Sequence, residues 1–285
     1  MQEIAPHVYI ENGYPGVTLG AVNWPHGLIL IDAPFLPDDI RSWRSGLLNL
    51  GGGVDRMLVN LDAHYDRTLG TRLVECTVAG HEAMAEVFKT RPVTFKPQTA
   101  ETGADWELYN GIGTVRWLAP EITFRHRLEI HWDGNPIVLE SHPGPSNGSI
   151  WVVLPHERII FLGDAILPNQ PPFLANADIP AWLETLHLLL TPEYRNFLLV
   201  SGRGGLIATD QIRVQMKFLE KTAQQLEKLA EKKAPAEETE KLAINLMKSF
   251  NPPKGLTEHY ERRLKWGLHH YYTRQFSATP ADDAS

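Results

Sequence analysis

The chain of 285 residues has one cysteine, Cys76, so no intrachain disulfide can form and no cysteine-rich metal site exists. Cys76 reads instead as a small buried hydrophobe. No apolar run approaches the ~18 residues needed to span a bilayer. The start, Met1-Gln-Glu-Ile-Ala-Pro-His7, has neither a basic stretch nor an apolar one and does not read as a secretory signal. The expectation is a cytoplasmic protein with no membrane partner. Basic charge is also scarce: 27 Lys and Arg face 34 Asp and Glu, a formal net charge of −7. That argues against nucleic acids and anionic membranes, which are recognised by clustered Lys and Arg. No internal repeat is present.

What is present is an ordinary globular composition, 43% hydrophobic, on a chain long enough for a large core. β-type runs over residues 7–10, 17–22 and 27–32 are separated by Gly and Pro turn signals and suit a meandering sheet. Residues 37–50 read as a helix, with Asp38 and Asp39 in its first turn and Gly51-Gly-Gly53 as its stop. A strand at 57–61 and a second strand-helix pair over 76–89 indicate an α/β protein. From residue 122 the chain turns β-rich over 122–132, 136–140, 149–154 and 158–162, with Pro155-His156-Glu157 as a hairpin connection, which predicts a second sheet. A helix at 181–190 and a strand at 197–200 follow. Beyond residue 206, helical spacing predicts helices over 209–233, from Glu237 onward, and over 257–274 with Thr257 as N-cap. His269 and His270 point about 100° apart on that last helix, which suits a packing or dimer surface better than a ligand pair. Residues 277–285 read as a frayed tail.

Residues 62–67 read Asp-Ala-His-Tyr-Asp-Arg, directly after the apolar run Met57-Leu58-Val59-Asn60-Leu61. On an extended loop alternate side chains share one side, so Asp62, His64 and Asp66 are expected to converge. An acid-imidazole-acid row suits a divalent cation or hydrolytic chemistry. A lone histidine-bearing loop is more often structural, so the weight must come from other segments.

The segment Asp62-Ala-His-Tyr-Asp-Arg67 resembles the His-x-His-x-Asp-His signature of the metallo-β-lactamase superfamily, with Asp62 and Arg67 replacing its first and last histidines. Three segments follow in that family's order. Ser141-His-Pro-Gly-Pro-Ser-Asn-Gly-Ser149 resembles its Pro-Gly-His-Thr-Pro-Gly-Ser loop, with Pro145 at the metal-binding histidine. Phe161-Leu-Gly-Asp-Ala165 resembles the strand end whose aspartate bridges two metals, here Asp164. Val200-Ser-Gly-Arg-Gly204 resembles the turn that supplies the last histidine, here Arg203. The early Leu28-Ile-Leu-Ile-Asp32 resembles the family's first strand ending in Asp. The resemblance implies an α/β (α+β) fold, a four-layer αββα sandwich over residues 1–205 with a helical C-terminal segment, 206–285, packed on it. It further implies two zinc or iron ions and hydrolysis by a metal-bound hydroxide. Carried over, the first metal would meet Asp62, His64 and Pro145, the second Asp66, Arg67 and Arg203, with Asp164 between them. Only His64, Asp66 and Asp164 match the usual ligand types.

A guanidinium has no lone pair to give a metal, so Arg67 and Arg203 exclude the second ion. The expectation is either no metal or one weakly bound divalent ion (Zn, Mn or Fe) at Asp62, His64 and Asp164. His142 lies nearby in sequence and is a candidate substitute for the imidazole that Pro145 removes, a rescue that the intervening Pro-Gly loop disfavours. Arg67 and Arg203 are expected to face the cleft and pair with Asp66 and Asp164. Two functions follow. One is a non-catalytic protein that binds a small anionic molecule through Arg67 and Arg203. The other is a one-metal or metal-free hydrolase of a small ester, lactone, thioester or phosphoester, with Asp66 as general base. Loss of four of the seven family ligands favours the first. A third reading is a structural subunit beside an active relative, and the C-terminal helices offer a surface for a homodimer.

Overall fold

The computed structural model describes residues 1–92, 101–110 and 112–277. The expected tail lies outside them apart from residue 277. Alternation along the strands decides which side chains meet. In β4 (Gly27–Ile31), Leu28 and Leu30 face one way and Ile29 and Ile31 the other. The first pair packs with Trp43 and Leu47 of α1 (Pro37–Leu48), and the second joins Val152 and Phe161 across from it. Each such side chain, once fully buried, contributes about 1.5–3 kcal/mol.

β4 lies in a seven-stranded sheet whose spatial order is the chain order: β1 (Gln2–Ala5), β2 (Val8–Glu11), β3 (Leu19–Asn23), β4, β5 (Asp55–Val59), β6 (Thr77–His81) and β7 (Ile122–Phe124). The first four pair antiparallel, as the short turns between them require, and β4 to β7 pair parallel. The second sheet has six strands in the order β13-β12-β11-β10-β9-β8. These are β8 (Arg127–Ile130), β9 (Ile137–Ser141), β10 (Ile150–Leu154), β11 (Ile159–Phe161), β12 (Leu198–Ser201) and β13 (Gly205–Ile207). Only β11 and β12 pair parallel there. On its outer face Trp151, Val153 and Ile160 meet Trp182 of α4 (Ile179–Leu188), Ile212 and Leu219 of α5 (Asp210–Glu231), and Leu264 and Leu268 of α7 (Thr257–Tyr272). Leu242 and Leu246 of α6 (Thr239–Met247) join that cluster. The layers therefore run helix, sheet, sheet, helix, the expected αββα sandwich with a helical C-terminal extension.

Three local expectations are corrected. The β-run over 122–132 is split between sheets: Ile122–Phe124 extends the first and Arg127–Ile130 edges the second, because the chain crosses over at Arg125-His126. The N-cap of α7 is Leu256, without a side-chain cap bond, and Thr257 is already helical. The sequence 62–66 is not one extended row, since helix α2 (Tyr65–Thr68) starts after His64 and carries Asp66. Among the described residues no helix is long and apolar enough to cross a membrane.

Candidate functional site

Parallel pairing sets the site's position. The carboxyl ends of β4 and β5 deliver Asp32 and the 62–67 loop, and those of β11 and β12 deliver Asp164 and Arg203. Asp32 closes β4 with φ +60°, a left-handed conformation that Asp tolerates better than most residues. There its Oδ1 accepts from the Leu61 amide at 3.0 Å. Gly163 and Gly202 let the other two strand ends touch: the Gly202 amide donates to the Gly163 carbonyl at 2.7 Å, and a Cβ on Gly202 would stand 2.8 Å from the Gly163 carbonyl carbon. Any larger residue would drive Asp164 and Arg203 apart. In the 62–67 loop, Asp62 Oδ1 accepts from the His64 amide at 2.8 Å. His64 in turn caps α2, its Nδ1 accepting from the Asp66 amide at 3.2 Å.

Two guanidinium groups occupy the centre. Arg67, wholly buried, donates from Nη1 to Asp32 Oδ2 at 2.8 Å and from Nη2 to Asp164 Oδ1. Its Nε stands 2.9 Å from Asp62 Oδ1 as an ion pair without hydrogen-bond alignment. Arg203, equally enclosed, donates from Nε to Asp164 Oδ1 at 3.0 Å and from Nη1 to Asp66 Oδ2 at 2.5 Å and Asp105 Oδ2 at 2.8 Å. Its Nη2 meets His64 Nδ1 at 3.0 Å. Asp164 thus bridges the two cations, as its counterpart in the resembled family bridges two metals. Arg67 does not pair with Asp66 as expected. Asp66 is taken up by Arg203 and by the amides of Asp105 and Trp106, at 3.1 and 2.8 Å.

Several participants were not legible in the sequence. Asp105 opens a short 3-10 turn (Asp105–Leu108) that carries no motif, and its amide bond to Asp66 and its pairing with Arg203 show why that turn returns here. Arg263 comes from α7 and donates to the Gly103 carbonyl at 2.7 Å and Gln170 Oε1 at 2.8 Å. Phe173 lies between two arginines, its ring centre 4.5 Å from the Arg203 guanidinium and 4.1 Å from that of Arg263. Helical spacing places His259 and Arg263 on one face, and both approach Asp105, at 3.4 and 3.6 Å. His142 is elsewhere: it stacks on Trp151 with ring centres 3.7 Å apart and meets Glu140 at 3.3 Å.

Charge and burial compete at each group. Burial pushes Asp32 up to about 6, more than Arg67 pulls it down. Burial likewise raises Asp62 and Asp66. Asp164 goes the other way, since Arg203 and Arg67 together outweigh burial and hold its carboxyl far below the usual range. Asp105 is held low against burial by His259, Arg263 and Arg203. Burial and the adjacent Arg203 push His64 well below its ordinary value, so its ring is neutral at pH 7. Two donors, the Asp66 amide and Arg203 Nη2, point at Nδ1. The ring proton therefore belongs on Nε2.

Beside this cluster opens a cavity of about 800 Å³. Asp62, His64 and Asp164 line it, but Asp66, Arg67 and Arg203 do not. The two arginines expected to receive a ligand are thus behind the wall, because the carboxylates hold them there. Among the described residues the cations at the cavity surface are Arg91, Arg263 and Arg274.

Residues 67–202 match the metallo-beta-lactamase superfamily. The two-sheet sandwich and the strand-end cluster already described agree with that match. That segment belongs to the metallo-beta-lactamase superfamily. A metallo-beta-lactamase from Pontibacter korlensis superposes with a TM-score of 0.62 at 17% identity, over 77% of this chain and 97% of that one. A metallo-beta-lactamase family protein from Thermus thermophilus gives 0.65 at 18%, over 97% and 96%. A stereoselective inverting sec-alkylsulfatase from Pseudomonas sp. gives 0.72 at 15%, over 98% of this chain and 50% of that one. At these identities the likeness is one of fold. No curated protein matches the sequence.

The two metal ions implied by the superfamily do not fit the residues present. The carboxylates that would ligate are engaged by guanidinium groups, the His64 Nδ1 lone pair faces Arg203, and guanidinium neither ligates nor tolerates an adjacent dication. Among the described residues no three His, Cys, Asp or Glu side chains form a group able to hold a metal ion.

Proposed function

We propose that this chain is a metal-independent binding protein in which an ion-pair cluster has replaced the hydrolytic centre, and that its cavity takes a small anionic molecule. The observation that carries the reading is the pair of buried arginines, Arg67 and Arg203, bridged by Asp164 and ion-paired with the carboxylates around them. Each guanidinium supplies the positive charge that the loops enclose, and hydrolysis is left without an activated water. Asp66, the candidate general base, accepts three hydrogen bonds and is shut off from the cavity. His64 presents an Nε2–H donor rather than a base, which favours an acceptor such as an anion. A metal-free hydrolase would need a proton acceptor at the cavity surface; Asp164, held far below the usual range by both arginines, serves that role poorly, which leaves Asp62 alone for it. The test is elemental analysis of purified protein after incubation with zinc, manganese and iron, followed by desalting. Well under one ion per chain is expected; one or two tightly held ions per chain would overturn the reading.

A further inference from the structure

The cations around the cavity are not equally satisfied. Arg67 pairs with Asp32, Asp62 and Asp164, and Arg203 with Asp66, Asp105 and Asp164. Arg91, 8% exposed, is not so paired. It donates from Nη1 to Thr68 Oγ1 at 2.8 Å and from Nη2 to the Ala63 carbonyl, and its guanidinium is covered by the rings of Tyr65 and Phe88 at 4.2 and 4.3 Å. Among the described residues no carboxylate lies within ion-pair distance of it. Arg263, fully buried, has an Nη2 without a hydrogen-bond partner. Burying a guanidinium without a counter-charge is costly, and here burial pulls Arg91 down to about 10, which leaves it charged at pH 7. None of the acids at the cavity pairs with it: Asp164 is held by Arg67 and Arg203 and Glu86 by Lys89, while Asp62, paired with Arg67, acts on Arg91 only from beyond ion-pair distance. The remaining wall is largely apolar, with Met84, Val87, Leu174 and Trp266.

We propose, resting on the binding reading above, that the ligand is a small amphipathic organic anion, its oxyanion head against Arg91 and its hydrocarbon or aromatic body against Met84, Leu174 and Trp266. A buried cation without its own carboxylate supplies the charge-assisted bonds, and apolar walls supply the area. A bare inorganic anion would leave those walls wet. A neutral molecule would leave Arg91 uncompensated.

The experiment is titration calorimetry of the intact chain with three probes: 4-phenylbutyrate, its neutral analogue 4-phenyl-1-butanol, and inorganic phosphate. The expected result is saturable 4-phenylbutyrate binding, with the alcohol and phosphate each weaker by about tenfold or more, in keeping with a charge-assisted contact. Arg91→Gln should lose a similar factor, whereas Arg213→Gln, on an exposed face of α5, should lose none. Equal affinity for acid and alcohol would overturn the charged head, and phosphate binding as tightly as 4-phenylbutyrate would overturn the apolar body. No binding by any probe would overturn the proposal outright. The comparison of probes needs no variant, so it stands even if Arg91→Gln fails to fold. Metal content is read separately, so failure here and failure of the metal-independent reading are distinguishable.

Discussion

Arg203 and Asp164 meet across two neighbouring strand ends with Nε 3.0 Å from Oδ1, both almost wholly buried. The contact depends on Gly163 and Gly202, whose backbones touch directly beneath it. Asp164 meets both guanidinium groups there, and the cations that the strand-end aspartates enclose are Arg67 and Arg203 of the chain itself. Such a cluster is held by mutual compensation, and removing one member leaves the others charged in a dry place.

Arg203→Ala is therefore expected to lower stability by about 3–5 kcal/mol, the usual cost of breaking a buried pair. Arg203→Lys should recover only part of it, because one ammonium cannot span Asp66, Asp105 and Asp164. Urea unfolding of the three proteins reads this out. Phosphate should not restore the alanine variant, since Arg203 is not at the cavity surface; an unchanged unfolding midpoint for Arg203→Ala would contradict the cluster's role.

Asp66→Asn should act on stability rather than on chemistry. Asp66 accepts two backbone amides and Arg203 Nη1, and an amide in its place must turn an N–H toward one of these donors. A loss of about 1–3 kcal/mol is expected, with affinity for an anionic probe changed little. A variant of normal stability that loses ligand binding would show that Asp66 reaches the ligand.

The pH dependence has two opposing parts. Asp164 and Asp105 have depressed values, so their stabilisation is present above the unfolded value near 4 and is lost as pH falls toward their folded values. Asp32 is raised to about 6. Its folded form holds the proton more tightly than the unfolded chain does, so its contribution falls as pH rises from about 4 to about 6. The shift corresponds to a change on the order of 3 kcal/mol. Measured at pH 4, 5, 6 and 7, the stability advantage of the native chain over Asp32→Asn should shrink across that window. An advantage that grows with pH would mean that Arg67 outweighs burial at Asp32.

Chelation should leave the thermal midpoint unchanged, and added zinc should not raise it. The double variant Arg67→His, Arg203→His is expected to be markedly less stable and to gain a zinc-dependent midpoint, because a ligand that binds only the folded state stabilises it by linkage. Scanning calorimetry with and without zinc compares the two proteins. A zinc-dependent rise in the unsubstituted chain would count against replacement of metal by arginine.

Much of the fold was legible because it rests on local pattern. Short apolar runs between turn signals gave β2, β4, β10 and β12, and a run of spaced Ile, Met and Leu gave α5 to within two residues at each end. The residues of 62–67, Asp164 and Arg203 were recognisable because strand ends carry short local motifs. The limit appeared where spacing meets a change of backbone: Asp66 was placed by strand alternation and lies on a helix, and residues 122–132 read as one run but serve two sheets.

The sequence by itself determined that the chain has strand-helix halves, a strand-end constellation of aspartates, and arginines that cannot ligate metal, since composition, periodicity and the donor chemistry of each side chain are properties of the chain alone. Only the tertiary structure decided which aspartate each arginine takes, that Asp32 and Asp105 complete the cluster, that Arg67 and Arg203 stand behind the cavity wall, and that Arg91 and Arg263 stand at its surface. Those outcomes depend on which strand ends lie side by side and on how α7 packs back over residues 103 to 105. Burial and charge compensation are properties of such encounters between distant segments, and no local pattern encodes them.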